Sequence, residues 1–466
     1  MADGMSEMWC GLYLCCLAVA GYPVIAGLAR ERSRLESLGL SACMGPALIA
    51  ICLIFLSMLG VRPGRAEILA LTGACAAAGI FLWRRDRFKN PVEEGGPVFR
   101  LWTIVCAAAI AYGLCAVVID TVGYPVIEWD AFAIWQLKAQ VLTLLPLHPR
   151  PAYFSDLNLS YSHLRYPLLA PMMSAGAHAM TGRLDDLSKT IALLLYPGMG
   201  LVVFAAVRRI NGTTAALTAT ALLACLQPML RYGGSGTADM AVTAFYACAL
   251  LCILRWQETG RWGYVVLCAL FSAWMAWTKN EGLALAAINA VVLAGIQAPG
   301  PRRRAVIAAV IFSLIVAAIY LPWLAFSWGL PRTDEDYAAS LSVHAVLSNV
   351  GRLPAILGAL GLEMADWQNW GFFWLVTAVL AIVQRRRFAT SAAAIIGTLL
   401  GLHLLAYLPP LMVVKTWNLD ELLAVTTDRL LMHAAPAAAI LIGLLLPKWA
   451  GGTERNPAAK NSRENT

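Results

Sequence analysis

Leu101-Trp-Thr-Ile-Val-Cys-Ala-Ala-Ala-Ile-Ala-Tyr-Gly-Leu-Cys-Ala-Val-Val-Ile-Asp-Thr-Val122 is followed at once by Gly123-Tyr-Pro-Val-Ile-Glu-Trp-Asp-Ala-Phe-Ala-Ile-Trp135. The first run is long enough to cross a hydrocarbon core, which takes about 20 helical residues. The second places two carboxylates, Glu128 and Asp130, at the end of that span, with Trp129 and Trp135 beside them. A plain lipid anchor needs no acids there, whereas an ionisable residue at such a boundary is a functional candidate by default.

Similar apolar runs recur along the chain. Of its 466 residues, 60% are hydrophobic and 13% charged, against about 25% charged in soluble globular chains, and mean hydropathy is +0.68. About thirteen segments are long enough, or nearly so, to span a bilayer, from Trp9–Leu28 to Leu430–Leu446. The fold class is therefore an all-α polytopic membrane protein. Met1 to Met8 contains Asp3 and Glu7 but no basic residue, so the first apolar stretch reads as a retained span and not as a secretory signal. The twelve cysteines lie in or beside apolar segments, where they act as small hydrophobes, and they show neither zinc spacing nor a disulfide framework.

Lysine and arginine counts set the orientation. Arg30/Arg32/Arg34, the five between Arg84 and Arg100, Arg208/Arg209, Arg255/Arg261, Arg302/Arg303/Arg304, Arg385/Arg386/Arg387 and the four from Lys448 to Arg463 fall in alternate loops and make 22 of the 35 basic residues. The positive-inside rule makes those loops cytoplasmic. The N-terminus and the Glu128/Asp130 loop are then outside, and the tail inside. The net charge of +8 is the pattern of these loops and calls for no nucleic-acid partner.

The chain is expected to divide into a three-span segment, 1–100, a catalytic membrane domain, 101–450, and a polar tail, 451–466. Three outer regions, 123–186, 329–371 and 411–428, are too long to be turns. In the first, Ala131–Leu144 sets Phe132, Trp135, Val141 and Leu144 against Gln136, Lys138 and Gln140, and reads as an amphipathic helix on the membrane surface; Tyr166–Met180 reads as a second. The next region carries the acidic run Thr333–Tyr337 and an amphipathic stretch with Leu341, Leu347, Leu353 and Leu357; the last holds Lys415, Trp417, Asp420 and Glu421. Tyr264–Trp277 and Leu283–Ile296 are each short of a full span and enclose Thr278-Lys-Asn-Glu-Gly282. Polar backbone at membrane depth is tolerated only where it lines an enclosed or watery cavity.

Each polar candidate has a bland alternative. Asp130 would N-cap the helix beginning at Ala131, with Glu128 solvated; the functional alternative is a general base with a supporting acid. His163, Arg165 and Tyr166 precede Pro167. Arg165 either pairs with a loop acid or recognises a phosphate oxygen, and Tyr166 is otherwise an interfacial anchor. Asp239 heads a helix, where its dipole alone favours a carboxylate; Arg231 and the glycines before it are a weak anion cradle. Asp428 and Arg429 open the last span, as a cap and a snorkelling cation or as a phosphate contact. A divalent cation, if one takes part, would fall to Glu128 and Asp130, with His163 nearby. His178, His344, His403 and His433 read as structural.

With these residues in hand, the sequence resembles GT-C membrane glycosyltransferases, similar to bacterial aminoarabinose (lipid A) transferases and protein O-mannosyltransferases. The motifs run from about Leu101 through the last span: Glu128-x-Asp130, His163/Arg165/Tyr166/Pro167, the helix-heading Asp239, Thr278-Lys279 with Asn280 and Glu281 inserted before Gly282, and loosely Arg429 with Pro436. The resemblance implies a GT-C-like helical bundle and a polyprenyl-phosphate-linked sugar donor. It also implies inversion at the anomeric carbon, with Asp130 as base and Glu128 in support. His163, Arg165, Tyr166, Arg231, Asp239, Lys279 and Arg429 would then meet donor phosphate or sugar. The acceptor would be an envelope lipid, glycan or protein, met on the periplasmic side of a bacterial cytoplasmic membrane. A transporter or lipid flippase is the alternative; it should show inverted repeats meeting at the midplane, and the sequence shows no repeat.

Overall fold

The computed structural model describes residues 2–83, 100–296, 298–332, 341–389, 391–414 and 417–447, all of whose regular structure is helical. In chain order the helices are α1 Ala2–Leu28, α2 Arg34–Met58, α3 Arg65–Trp83, α4 Arg100–Gly123, α5 Leu137–Leu144, α6 Leu169–Thr181, α7 Ala192–Ala224, α8 Gln227–Gly233, α9 Asp239–Thr259, α10 Trp262–Thr278, α11 Glu281–Gly295 and α12 Arg303–Trp328. They continue as α13 Val343–Ser348, α14 Leu353–Ala365, α15 Trp367–Trp370, α16 Phe373–Val383, α17 Ser391–Ala406, α18 Leu408–Val413 and α19 Leu419–Leu445. Nine helices among the described residues are long and apolar enough to cross a membrane, and α10, α11 and α16 are shorter apolar helices. The chain is an integral membrane protein.

One of the nine is a folded-back pair. Gly212 (φ 87°, ψ 175°) breaks α7, and the Tyr196 hydroxyl donates to the Ala224 carbonyl at 2.7 Å. In a straight helix those residues would stand about 40 Å apart, at 1.5 Å per residue. Each half, 192–211 and 213–224, is an apolar stretch in its own right.

Two helices occupy the centre. The apolar window of α9 is 100% buried and that of α19 89%, against 17% for α3 and α4. Small residues allow this: α19 carries Ala434, Ala435, Ala437, Ala438 and Ala439, and a Cβ on Gly443 would lie 2.6 Å from a Val207 methyl. Close approach of this kind drives helix association where no hydrophobic effect operates. The first two helices belong to the same packing, α1 against α6 and α10, α2 against α6 and α7.

The arginine loops converge at one end. Arg255 pairs with Glu258 at 2.7 Å and Glu36 at 3.4 Å, Arg209 with Glu258 at 2.6 Å, and Arg304 donates to the Gly260 carbonyl at 2.7 Å. Arg387 donates to the Leu446 carbonyl at the end of α19 at 2.5 Å, where a cation offsets the helix dipole. The cluster around Asp239 and Lys279 sits at the other ends of α9 and α10. The basic residues between Arg84 and Lys89, those after Lys448, the acidic run 333–337 and Lys415 lie outside the described residues, as does the tail 451–466.

The outer helices form where expected but bury other faces. Ala131–Gln136 is a π-helical turn leading into α5. Gln136 and Lys138 face inward, at 6% and 0% exposure, while Phe132 and Leu144 face outward at 47% and 50%. Helix α6, expected on the surface, is an internal helix with all but one residue buried. The amphipathic reading assumes that polar residues seek water. Within a membrane bundle they turn to the protein interior, and apolar ones to lipid. The stretch around α13 and α14 does keep Leu341, Leu347 and Leu357 exposed.

Candidate active site

Asp239 is the hub. As the first residue of α9 it is completely buried, a position sustainable for a carboxylate only with full pairing. Its Oδ1 accepts from Lys279 Nζ at 2.9 Å and His433 Nε2 at 3.0 Å. Its Oδ2 accepts from Arg429 Nε at 3.1 Å and Nη2 at 2.7 Å. The bland reading of Asp239 as a dipole ornament is thus incomplete: it holds two cations.

Asp130 joins through one of them. Arg429 Nη1 donates to Asp130 Oδ2 at 2.5 Å across 299 residues of chain. Asp130 itself lies in right-handed helical conformation and makes no side-chain capping bond, so the N-cap alternative is set aside. Its side chain is 32% exposed, against 0% for Asp239. Of the two acids on Arg429, only Asp130 can meet a substrate.

Lys279 occupies the short turn between α10 and α11, beside Glu281 at 3.3 Å. Gly282 is required here, because a Cβ would lie 2.1 Å from the Met275 carbonyl. The recessed hairpin predicted from segment length therefore delivers its lysine to the head of α9.

The loop ahead of Asp130 is tied at several points. Lys189 Nζ donates to the Asp120 carbonyl at 2.8 Å, Asp186 accepts from Val126 N at 3.0 Å, and Glu128 pairs with Arg231 at 3.0 Å. Arg231 and Arg429 both lie over the Tyr232 ring, at 5.1 and 5.7 Å, and the Tyr232 hydroxyl donates to Asp428 at 2.7 Å. Glu128 is a latch of this loop. Arg231 serves that latch and does not touch Asp239.

His163 stacks on Tyr166 at 4.4 Å, and Tyr166 on Trp135 at 5.6 Å. Its φ of 51° is left-handed, unusual outside glycine. Lys138, fully buried, holds that turn through the carbonyls of Ser162 at 2.5 Å and His163 at 2.7 Å. Burial pushes the Lys138 ammonium well below the usual lysine range. Burial also lowers the His163 imidazole to about 4, helped by Lys138 and Lys279 and opposed by Asp130 and Glu281. An imidazole held that low is uncharged at physiological pH and offers hydrogen bonds, not a positive charge. Arg165 is half-buried and within electrostatic range of Tyr320 on α12.

Among the described residues no three His, Cys, Asp or Glu side chains converge to hold a metal ion. The trio Glu128, Asp130 and His163 is not assembled: Glu128 and Asp130 are each engaged by an arginine. His433 reads as structural in the sequence, yet it contacts Asp239, and Tyr407 contacts His433 in turn. The available signal is spacing, since Arg429 and His433 stand four apart on one face of α19.

Residues 166–326 match the family model of dolichyl-phosphate-mannose-protein mannosyltransferases. The match takes in Tyr166, Arg231, Asp239 and Lys279 and stops short of Asp130 and Arg429 on either side. The resemblance to GT-C membrane glycosyltransferases is thus borne out over about a third of the chain. The solved structure of ArnT from Cupriavidus metallidurans bound to undecaprenyl phosphate is similar at 17% identity with a TM-score of 0.47, over 75% of this chain. This chain spans 60% of that one's length. No curated protein matches the sequence.

Proposed function

We propose that the protein is an integral membrane glycosyltransferase that moves a sugar from a polyprenyl-phosphate donor to an envelope acceptor, inverting the anomeric carbon, with Asp130 as general base. One observation carries this reading: an accessible carboxylate, Asp130, is joined through Arg429 to a buried acid that also fixes Lys279. Base and phosphate-seeking cations are thereby held as one unit. The name of the matching family, a lipid-phosphate-sugar-dependent transferase, supports the donor class.

In the proposed step Asp130 takes the proton of an acceptor hydroxyl through Oδ1, which makes no hydrogen bond among the described residues. The acceptor oxygen bonds to the anomeric carbon as the bond to the phosphate oxygen breaks on the opposite face. The departing lipid phosphate keeps that electron pair, and Lys279 and Arg429 offset its charge. Glu128 supports the base by holding its loop on Arg231. The basic end of the bundle would face the cytoplasm of a bacterial cell and the Asp130 end the periplasm.

The test is Asp130→Asn in membranes supplied with polyprenyl-phosphate-linked sugars. Loss of transfer with donor binding retained is expected. Transfer at the wild-type rate would refute the assignment of the base, and movement of lipid without a new glycosidic bond would favour a flippase.

A further inference from the structure

We propose that His403, Tyr407 and His433 form a buried positioning chain that aims the two cations of the site at lipid phosphate. It rests on the reading that Lys279 and Arg429 hold that phosphate. The chain runs inward from Asp239. His433 Nε2 lies 3.0 Å from Asp239 Oδ1, His433 Nδ1 3.2 Å from the Tyr407 hydroxyl, and that hydroxyl 2.5 Å from His403 Nε2. His403 and His433 are fully buried and Tyr407 nearly so.

Hydrogen-bond chemistry allows one polarity when all three are neutral. The ionised Asp239 can only accept, so His433 Nε2 carries the proton and Nδ1 accepts. Tyr407 must then donate to Nδ1 and accept from His403 Nε2–H. One tautomer of each imidazole follows, so that a distant helix, α17, determines how His433 presents its N–H to Asp239.

What the chain reaches separates it from a network that merely satisfies buried groups. Its inner end is open: among the described residues His403 Nδ1 and the hydroxyl of Tyr246, whose ring packs edge-on at 4.7 Å, are buried without a hydrogen-bond partner. The chain's other end falls on Oδ1, the oxygen that also takes Lys279. His433 therefore controls how Asp239 is turned, and through it where Lys279 and Arg429 point. It is a positioning residue, not a catalytic one.

The experiment measures undecaprenyl phosphate binding to the full-length protein in nanodiscs, with the melting temperature of each variant. Lys279→Met tests the underlying reading and should weaken binding about tenfold or more, the loss of one charge-assisted bond. His433→Leu and Tyr407→Phe should weaken it about fivefold to thirtyfold, as expected for a lost buried donor. His433→Gln, whose amide N–H falls near Nε2, should bind within about threefold of wild type if its hydrogen bond survives. A role confined to stability would lower the melting temperature of both His433 variants and leave the affinity of folded protein unchanged. Wild-type affinity in Tyr407→Phe and His433→Leu, with Lys279→Met impaired, overturns the inference and spares the reading. So does a Gln variant as weak as the Leu variant. Wild-type affinity in Lys279→Met overturns the reading itself. Should His433→Leu fail to fold, Tyr407→Phe and His433→Gln decide alone.

Discussion

Asp239→Asn is the substitution on which the account of the site depends most. It keeps the side chain's shape and removes its charge. Lys279 and Arg429 then remain beside it, 7% and 16% exposed at the side chain, with no buried anion between them. The amide retains one acceptor oxygen, so its NH₂ must face either the Arg429 donors or those of Lys279 and His433. Removing one member of a buried ion pair costs about 3–5 kcal/mol, because an unpaired charge is left behind. Asp130 and Glu281 remain on the outer sides of Arg429 and Lys279 and screen part of this, so about 3 kcal/mol is expected. That is a fall of about two decades in the folded-to-unfolded ratio at 1.4 kcal/mol per decade. The assay is reversible unfolding in mixed micelles followed by tryptophan fluorescence. A double-mutant cycle with Lys279→Met should show positive coupling, about 1–3 kcal/mol, since losing both partners leaves less uncompensated charge than losing one. A single-variant loss below about 0.5 kcal/mol, the usual size of a surface change, or strictly additive effects, would refute the hub.

Asp130→Asn should separate stability from function. Its pair with Arg429 is partly exposed, so stability should change by less than about 1 kcal/mol, while transfer falls by about a hundredfold or more, the scale of a lost general base. His163 gives a pH signature. Its folded pKa of about 4 lies below the ordinary 6.5, so between those values the unfolded chain binds more protons and wild-type stability falls as the pH drops. His163→Gln should lose that part of the slope, visible as a difference between the two unfolding curves from pH 6.5 to 4. Gly282→Ala must push the hairpin away from the Met275 carbonyl; a stability loss of about 1–3 kcal/mol is expected for such overpacking, together with weaker undecaprenyl phosphate binding as Lys279 moves.

The sequence by itself determined the class. Apolar runs of spanning length require helices, because no other element within the bilayer satisfies its own backbone. Basic residues in alternate loops put the loops holding the acids and isolated cations at the opposite end, and the short Tyr264–Ile296 hairpin put its polar tip near membrane depth. Asp130, Asp239, Lys279 and Arg429 were all legible as candidates on these grounds. Their union was not. Asp130 and Arg429 stand 299 residues apart, and nothing local in either segment records that the ends of α4, α9 and α10 converge on the interior of α19, which begins at Leu419 and not, as the sequence suggested, at Asp428 and Arg429. Nor did periodicity say which face turns inward. It found helices at Ala131–Leu144 and Tyr166–Met180, but Lys138 lies beneath a strained turn and α6 is buried. His433 shows the same limit from the other side: in sequence it is one histidine in an alanine-rich helix, and only the packing of α9 against α19 gives it a carboxylate to hold. Periodicity reports that a helix has two faces, while the surroundings decide what each face meets.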